Sequence, residues 1–221
     1  LALGRRLVAE GLGSALLIVA VIGSGIMGTR LYGGQPGSVL LANSIATGGA
    51  LVGLILMMGA VSGAHFNPAV SFVDALFGDL SWSDFGLYTV VQTAGGCAGT
   101  IVANVMFSLD AVNISHHHRS SGELWLSEVV ATIGLLLVIH GCVRTGRGSV
   151  VPFAVGVWIG GAYFFTSSTS FANPAVTIAR MLSDSFAGIA PASAPAFIGM
   201  QAVGTLVAFV LIRFLYPKAA S

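Results

Sequence analysis

The chain has 221 residues, 55% of them apolar and 8% charged, with nine Lys or Arg against eight Asp or Glu and a net charge of +1. An ordinary soluble domain is roughly 25% charged, so this composition excludes a charged-surface globular domain and a disordered chain. It also leaves no basic face for phosphates, which argues against a nucleic-acid partner. The expected class is an all-α integral membrane protein, one domain over residues 1–221, with the lipid bilayer as its solvent.

Charge-free runs set the predicted elements, because a helix needs about 20 apolar residues to cross the hydrocarbon core. The first run, 11–29, supports a span at 7–27, preceded by Arg5 and Arg6. A cleavable signal peptide is the rival reading there, but Glu10 intrudes on it and a full span is the simpler account. The second run, 31–73, is too long for one span: after the turn-rich YGGQPG it holds a span at 38–60 and leaves the remainder SGAHFNPAVSF, Ser62 to Phe72. A third span is placed at 83–108. Loop 110–121, which contains His116, His117 and His118, leads to a fourth at 124–143. The uncharged run 148–179 repeats the earlier pattern, with a fifth span at 148–165 and the remainder STSFANPAVTI, Ser168 to Ile178. A sixth span at 195–215 completes the set.

The two remainders carry the chemistry. Each places Asn-Pro where a helix would begin, Asn being a favoured N-cap and Pro a favoured first helical residue. Polar residues follow after ten or eleven positions (Asp79 in one case, Ser183 and Asp184 in the other). At 1.5 Å per residue such a helix reaches roughly 16 Å, half a bilayer. These segments are therefore predicted to be re-entrant half-helices. Arg5, Arg6, Arg144, Arg147, Arg213 and Lys218 then fall on one side and Arg30, Arg119 and Arg180 on the other, which by the positive-inside rule puts both termini in the cytoplasm.

The chain also repeats itself. Glu128 answers Glu10 at an offset of 118, Asn173-Pro174-Ala175-Val176 answers Asn67-Pro68-Ala69-Val70 at 106, and Gln201 answers Gln92 at 109. Each half, 1–109 and 122–217, has three spans and one half-helix. Three is odd, so the second half enters the membrane inverted, and the two half-helices meet at the midplane. Their N-termini carry partial positive charge and free N–H groups. The centre should repel cations and hydrogen-bond a neutral solute.

With its paired HFNPAV and ANPAV motifs and intramembrane Glu10 and Glu128, the chain resembles the aquaporin and glycerol-facilitator family over nearly its whole length. Its flavour is that of bacterial aquaglyceroporin-like members of the arsenic-resistance-associated type. The resemblance implies a passive channel for small neutral solutes (water, glycerol-like polyols, metalloid acids such as arsenous acid). It also implies a homotetramer, the bacterial inner membrane, no cofactor, no metal and no enzymatic reaction. It implies that Asn67 and Asn173 donate to the permeating molecule. Carbonyls near Gly63, Ala64 and His65, and near Ser170, Phe171 and Ala172, would form an acceptor ladder, with Glu10 and Glu128 bonding the N–H groups of the two loops. The filter departs from the family. Val176 stands where members usually carry Arg. Thr47 replaces an aromatic and Gly161 a frequent His, with Ala162 as the fallback if that loop has shifted, and Ser170 completes the expected ring. A filter of Thr47, Gly161, Ser170 and Val176 has no fixed cation and no bulky side chain, and should pass solutes larger than water.

Other residues are read as follows. Arg180, four beyond Val176 on the same helix face, is counted with the pore-lining or loop-supporting residues. It is expected to snorkel to the interface or pair with Asp184 rather than to reach the outer mouth. His65 should line the pore and support its loop. His140 reads as a satisfied buried histidine, and Asp74 faces either the inner vestibule or the interface. The three loop histidines lack a carboxylate or Cys spacing for a metal, and Cys97 and Cys142 read as buried thiols. Trp82 and Trp125 read as interfacial anchors. Two other function classes remain open at this stage: a proton-coupled transporter using Glu10 or Glu128, and a structural membrane protein of low conductance.

Overall fold

The computed structural model describes residues 1–217; Lys218, counted above among the basic residues, lies outside them. The described chain is helical throughout, with no strand. The first half comprises α1 (Leu3–Tyr32), α2 (Pro36–Ser62), α3 (Pro68–Phe77) and α4 (Trp82–Met106). The second comprises α5 (Gly122–Arg144), α6 (Val151–Phe165, preceded by a 3-10 turn at Gly148–Val150), α7 (Pro174–Ala179, continued by a 3-10 turn at Arg180–Leu182) and α8 (Ala194–Leu215). Five of the six long helices are long and apolar enough to cross a membrane. The sixth, α4, has 25 residues but is more polar, carrying Asp84, Gln92 and Asn104. Observed ends fall within a few residues of the expected ones: α4 stops at Met106, two residues short, and the largest differences are at α1, which starts at Leu3 and runs to Tyr32.

Backbone-to-backbone contact through glycine joins the helices. A Cβ on Gly95 of α4 would stand 2.1 Å from the Gly11 carbonyl oxygen of α1, and one on Gly99 would stand 2.2 Å from that of Ala15. The two halves meet where α2 crosses α6: a Cβ on Gly48 would lie 2.8 Å from Gly156 O, and one on Gly156 2.7 Å from Gly48 O. With no hydrophobic driving force between helices in lipid, such close packing and inter-helix hydrogen bonds supply the association energy. Asn43 Nδ2 donates to Val21 O at 2.8 Å, and Ser44 Oγ donates to Gly160 O at 2.7 Å.

The half-helices form as expected. Asn67 caps α3 by accepting from Ala69 N, and Asn173 caps α7 by accepting from Ala175 N and Val176 N, each with Pro at the first turn. At 1.5 Å per helical residue the ten residues of α3 span about 15 Å. The 3-10 turn gives the α7 segment a similar reach. Loop 110–121 is not a bare connector. Asn113 N donates to Leu182 O and Ser115 N to Met181 O, and Asn104 Nδ2 of α4 also reaches Leu182 O, so the last carbonyls of that turn are satisfied.

At one end Arg6 pairs with Asp84 (2.9 Å), while Arg144 stacks on Phe77 (3.9 Å to the ring centroid) and donates to Tyr216 O. At the other, Arg30 lies over Phe107 and Arg119 donates to Gly188 O.

Candidate functional site

A cavity of about 470 Å³ runs beside both half-helices. Its walls come from four long helices: Leu17 and Val21 of α1, Thr47 and Leu51 of α2, Leu135 and Ile139 of α5, and Val155 and Ile159 of α6. Asn67 and Asn173 both line it. Each Nδ2 donates one hydrogen across the repeat: Asn67 to Ala172 O and Asn173 to Phe66 O, both at 2.8 Å. An amide has two such hydrogens, so each Asn keeps one for a molecule in the cavity.

The loops before the motifs are built alike. Ala64 and Phe66 in the first, and Thr169, Ser170 and Ala172 in the second, take left-handed backbone angles (φ from 48° to 62°), as does Gly63 at 92°. Residues with a Cβ adopt that region only when the surroundings hold them there. Two buried carboxylates do so. Glu10, 0% exposed, accepts from His65 N (3.0 Å), Phe66 N (2.7 Å), Ser62 Oγ (2.6 Å) and Gln92 Nε2 (2.8 Å). Glu128, also 0% exposed, accepts from Phe171 N and Ala172 N (both 2.9 Å) and Gln201 Nε2 (2.7 Å). In a trans peptide the C=O points opposite to the N–H that follows it. The carbonyls of Ala64, His65, Ser170 and Phe171 are therefore turned away from the carboxylates, and all four residues line the cavity. The carbonyls of Phe66 and Ala172 are instead engaged by the two Asn amides.

Of the expected filter residues, Thr47, Ser170 and Val176 line the cavity and Gly161 does not: it sits on the exposed face of α6. The fallback Ala162 is fully buried and also off the cavity. In their place Tyr163 faces Thr47, its hydroxyl 3.1 Å from Thr47 Oγ1. The reason is helix phase: Val151, Val155, Ile159 and Tyr163 line the cavity at a spacing of four, and a position two residues off such a stripe points to the opposite side. A bulky ring is therefore present at this level of the cavity, contrary to the sequence expectation.

Arg180 also departs from the favoured expectation. It is 2% exposed, lines the cavity, stacks on Phe171 at 3.4 Å to the centroid and donates from Nε to Ala187 O. Asp184 is held instead by the backbone N–H (2.9 Å) and ring (3.0 Å) of His116. At the other end of the cavity, Asp74 takes the vestibule alternative. It lies 3.0 Å from His65 Nε2 and 3.7 Å from His140 Nε2. His65 Nδ1 meets Ser71 Oγ at 2.9 Å, whereas His140 Nε2 is buried without a hydrogen bond, so His140 is not the satisfied histidine expected. Among the described residues, no group of three or more His, Cys, Asp or Glu could hold a metal ion.

Two amide-capped half-helices beside a continuous cavity, inside an inverted repeat of membrane helices, define a membrane channel. The family model described as Major intrinsic protein matches residues 1–170. Aquaglyceroporin AqpS of Rhizobium meliloti (strain 1021) is 46% identical over 217 residues, covering 98% of this chain and 92% of that protein. Probable aquaporin NIP7-1 of Arabidopsis thaliana is 30% identical over 159 residues, 70% of this chain and 57% of that protein. The solved aquaglyceroporin from Plasmodium falciparum shares the fold, with a TM-score of 0.73 at 19% identity over 98% of this chain and 96% of that one. The chain belongs to the major intrinsic protein family, which consists of channels and not enzymes.

Proposed function

We propose that this protein is a passive channel for small neutral solutes, with water and glycerol-like polyols as its first substrates and arsenous acid as a further one. The observation that carries the reading is the cavity lined by both Asn amides and by the turned-out carbonyls of the two loops. It offers donors and acceptors to a molecule that sheds its hydration shell, and the opposed helix N-termini disfavour cations. AqpS is named an aquaglyceroporin, and its likeness over nearly the whole chain supports the same substrate class here. We place the channel in a bacterial inner membrane as a homotetramer, with one pore per protomer and both termini cytoplasmic. The coupled-transporter alternative loses ground on Glu10 and Glu128. Both are fully buried, hydrogen-bonded by three or four donors each, and off the cavity wall.

Light-scattering permeability in proteoliposomes tests the reading with water, glycerol, urea and arsenous acid. Flux above that of empty vesicles and independent of a pH difference is expected. Flux that follows a pH difference would favour coupling, and flux equal to empty vesicles would favour a structural role. Val176→Arg should lower the glycerol-to-water permeability ratio by about tenfold, because a guanidinium fills the aperture that Val leaves open. An unchanged ratio would remove Val176 from the constriction.

A further inference from the structure

Val176 leaves the usual arginine position empty, yet a guanidinium reaches the same stretch of cavity from one turn further on. Side chains on a helix tilt toward its N-terminus, so a long residue covers the surface of the preceding turn. Arg180, four residues past Val176, is thus directed back along α7 toward Val176, Ser170 and Thr47, all of which line the cavity with it. Its pose is fixed from two sides, by the Phe171 ring beneath the guanidinium and by Nε donating to Ala187 O. Its terminal nitrogens make no hydrogen bond to a described residue, and the residue lines the cavity. No described carboxylate pairs with it, since Asp184 is taken by His116 and Glu128 by loop N–H groups.

A second observation points to a ligand at the same level. Ser170 is 3% exposed, lines the cavity, and its Oγ is buried without a hydrogen-bond partner. A buried hydroxyl left unpaired is unfavourable, and a solute supplying the missing bond removes that cost. The Thr47–Tyr163 hydroxyl pair lines the same cavity.

We propose that Arg180, shifted one helical turn from the usual arginine position, is the specificity-determining donor of this channel, acting with Ser170 on neutral solutes that carry several hydroxyl or carbonyl oxygens. The inference rests on the reading of the protein as a solute channel. The terminal guanidinium nitrogens donate to solute oxygens, Ser170 Oγ supplies or accepts one more bond, and Val176 provides the apolar side against which a carbon skeleton slides. The same fixed positive charge repels cations at this end of the pore, so the filter keeps a cation barrier although position 176 lacks one.

Arg180→Leu and Arg180→Lys are compared with wild type in proteoliposomes for glycerol, urea and water permeability and for sodium leak. Losing a charge-assisted bond should lower the glycerol-to-water ratio about tenfold in both variants, because Lys cannot stack on Phe171 and donate in the same geometry. Sodium leak should rise in the Leu variant alone, since Lys keeps the charge. Wild-type protein gives a readout that needs no variant: glycerol should slow arginine-specific dicarbonyl labelling of Arg180, followed by mass spectrometry, without slowing that of exposed Arg213. Wild-type glycerol-to-water ratios in both variants, or labelling of Arg180 indifferent to glycerol, would overturn the inference. Absence of solute flux in the wild type would instead overturn the channel reading on which it rests.

Discussion

Glu10 sits at a place in the bilayer where an unpaired carboxylate would be costly, and it persists because four donors converge on it. Replacing it by Ala strands His65 N and Phe66 N, each an unsatisfied buried donor costing about 1–3 kcal/mol, and takes one of the two bonds of the Gln92 amide, which keeps Ser71 Oγ. Glu10→Ala should therefore lower stability by about 3 kcal/mol or more, read as a fall in the melting temperature of the detergent-solubilised protein, and solute flux should fall with it as the first loop relaxes. A melting curve unchanged from wild type would show that the loop holds its left-handed residues by other means. At this scale the carboxylates, Asn67 and Asn173 were legible in the sequence, because a charge inside an apolar run and Asn-Pro at a helix start each have few physical explanations. Tyr163 was not. Val151, Val155, Ile159 and Tyr163 face the cavity, but Phe153, Val157 and Phe164 on the exposed face are equally apolar. Lipid on one side and an apolar cavity wall on the other erase the periodicity that would have given the phase of α6. Counting back from Asn173 to Gly161 crosses an irregular loop, and so could not restore that phase.

Helix contacts and the outer loop make separate demands. The α1–α4 contact depends on Gly95 and Gly99, where any side chain meets backbone that cannot move aside. Gly99→Leu should cost about 1–3 kcal/mol or more through overpacking. Gly86→Ala on the same helix, with nothing within 4 Å of its Cβ position, should be neutral or stabilising by up to about 1 kcal/mol. Thermal melts of the two variants side by side check the contrast, and equal behaviour would contradict the close crossing. The long helices were legible from charge-free runs, but the role of loop 110–121 was not, since its bonds to the α7 segment run through backbone groups that no residue type advertises. The loop does contain a titratable clasp. The backbone N–H and ring of His116 hold the Asp184 carboxyl below its ordinary value of 3.8. A carboxyl with a depressed folded-state pKa stabilises above its unfolded value and loses that contribution as pH falls through the folded one. Protection of residues 110–121 against hydrogen exchange, taken relative to the unstructured rate at each pH, should thus hold from neutral pH to about 5 and fall only below about 4. Asp184→Asn at pH 7 should speed exchange modestly, by up to about five-fold for so exposed a pair. Protection that falls already between pH 7 and 5 would assign the clasp to another group.

Over the whole molecule several bonds join the two halves, and where the half-helices meet they form a reciprocal pair, Asn67 Nδ2 to Ala172 O and Asn173 Nδ2 to Phe66 O. The inverted order was legible because three spans per half is an odd number, so a second Asn-Pro has to enter from the opposite face. The reciprocity itself was not, since it needs the two loops to meet within hydrogen-bond distance. That tie aligns both half-helix N-termini on one spot, where their partial charges add. Asn67→Asp tests it at a single position. A carboxylate still caps α3, because it accepts from Ala69 N as Asn67 Oδ1 does now, but it cannot donate to Ala172 O and it places a negative charge where two positive helix ends converge. Proton or sodium leak should then rise about tenfold or more over wild type, as expected when about 1.4 kcal/mol or more of a barrier is removed. A pH-sensitive dye trapped in proteoliposomes reads the proton leak, with an Asn67→Gln variant as the uncharged control for displacement of the loop. Equal leak in the Asp and Gln variants would mean that the exclusion of cations depends on the fit of the two loops and not on the charge gathered between them.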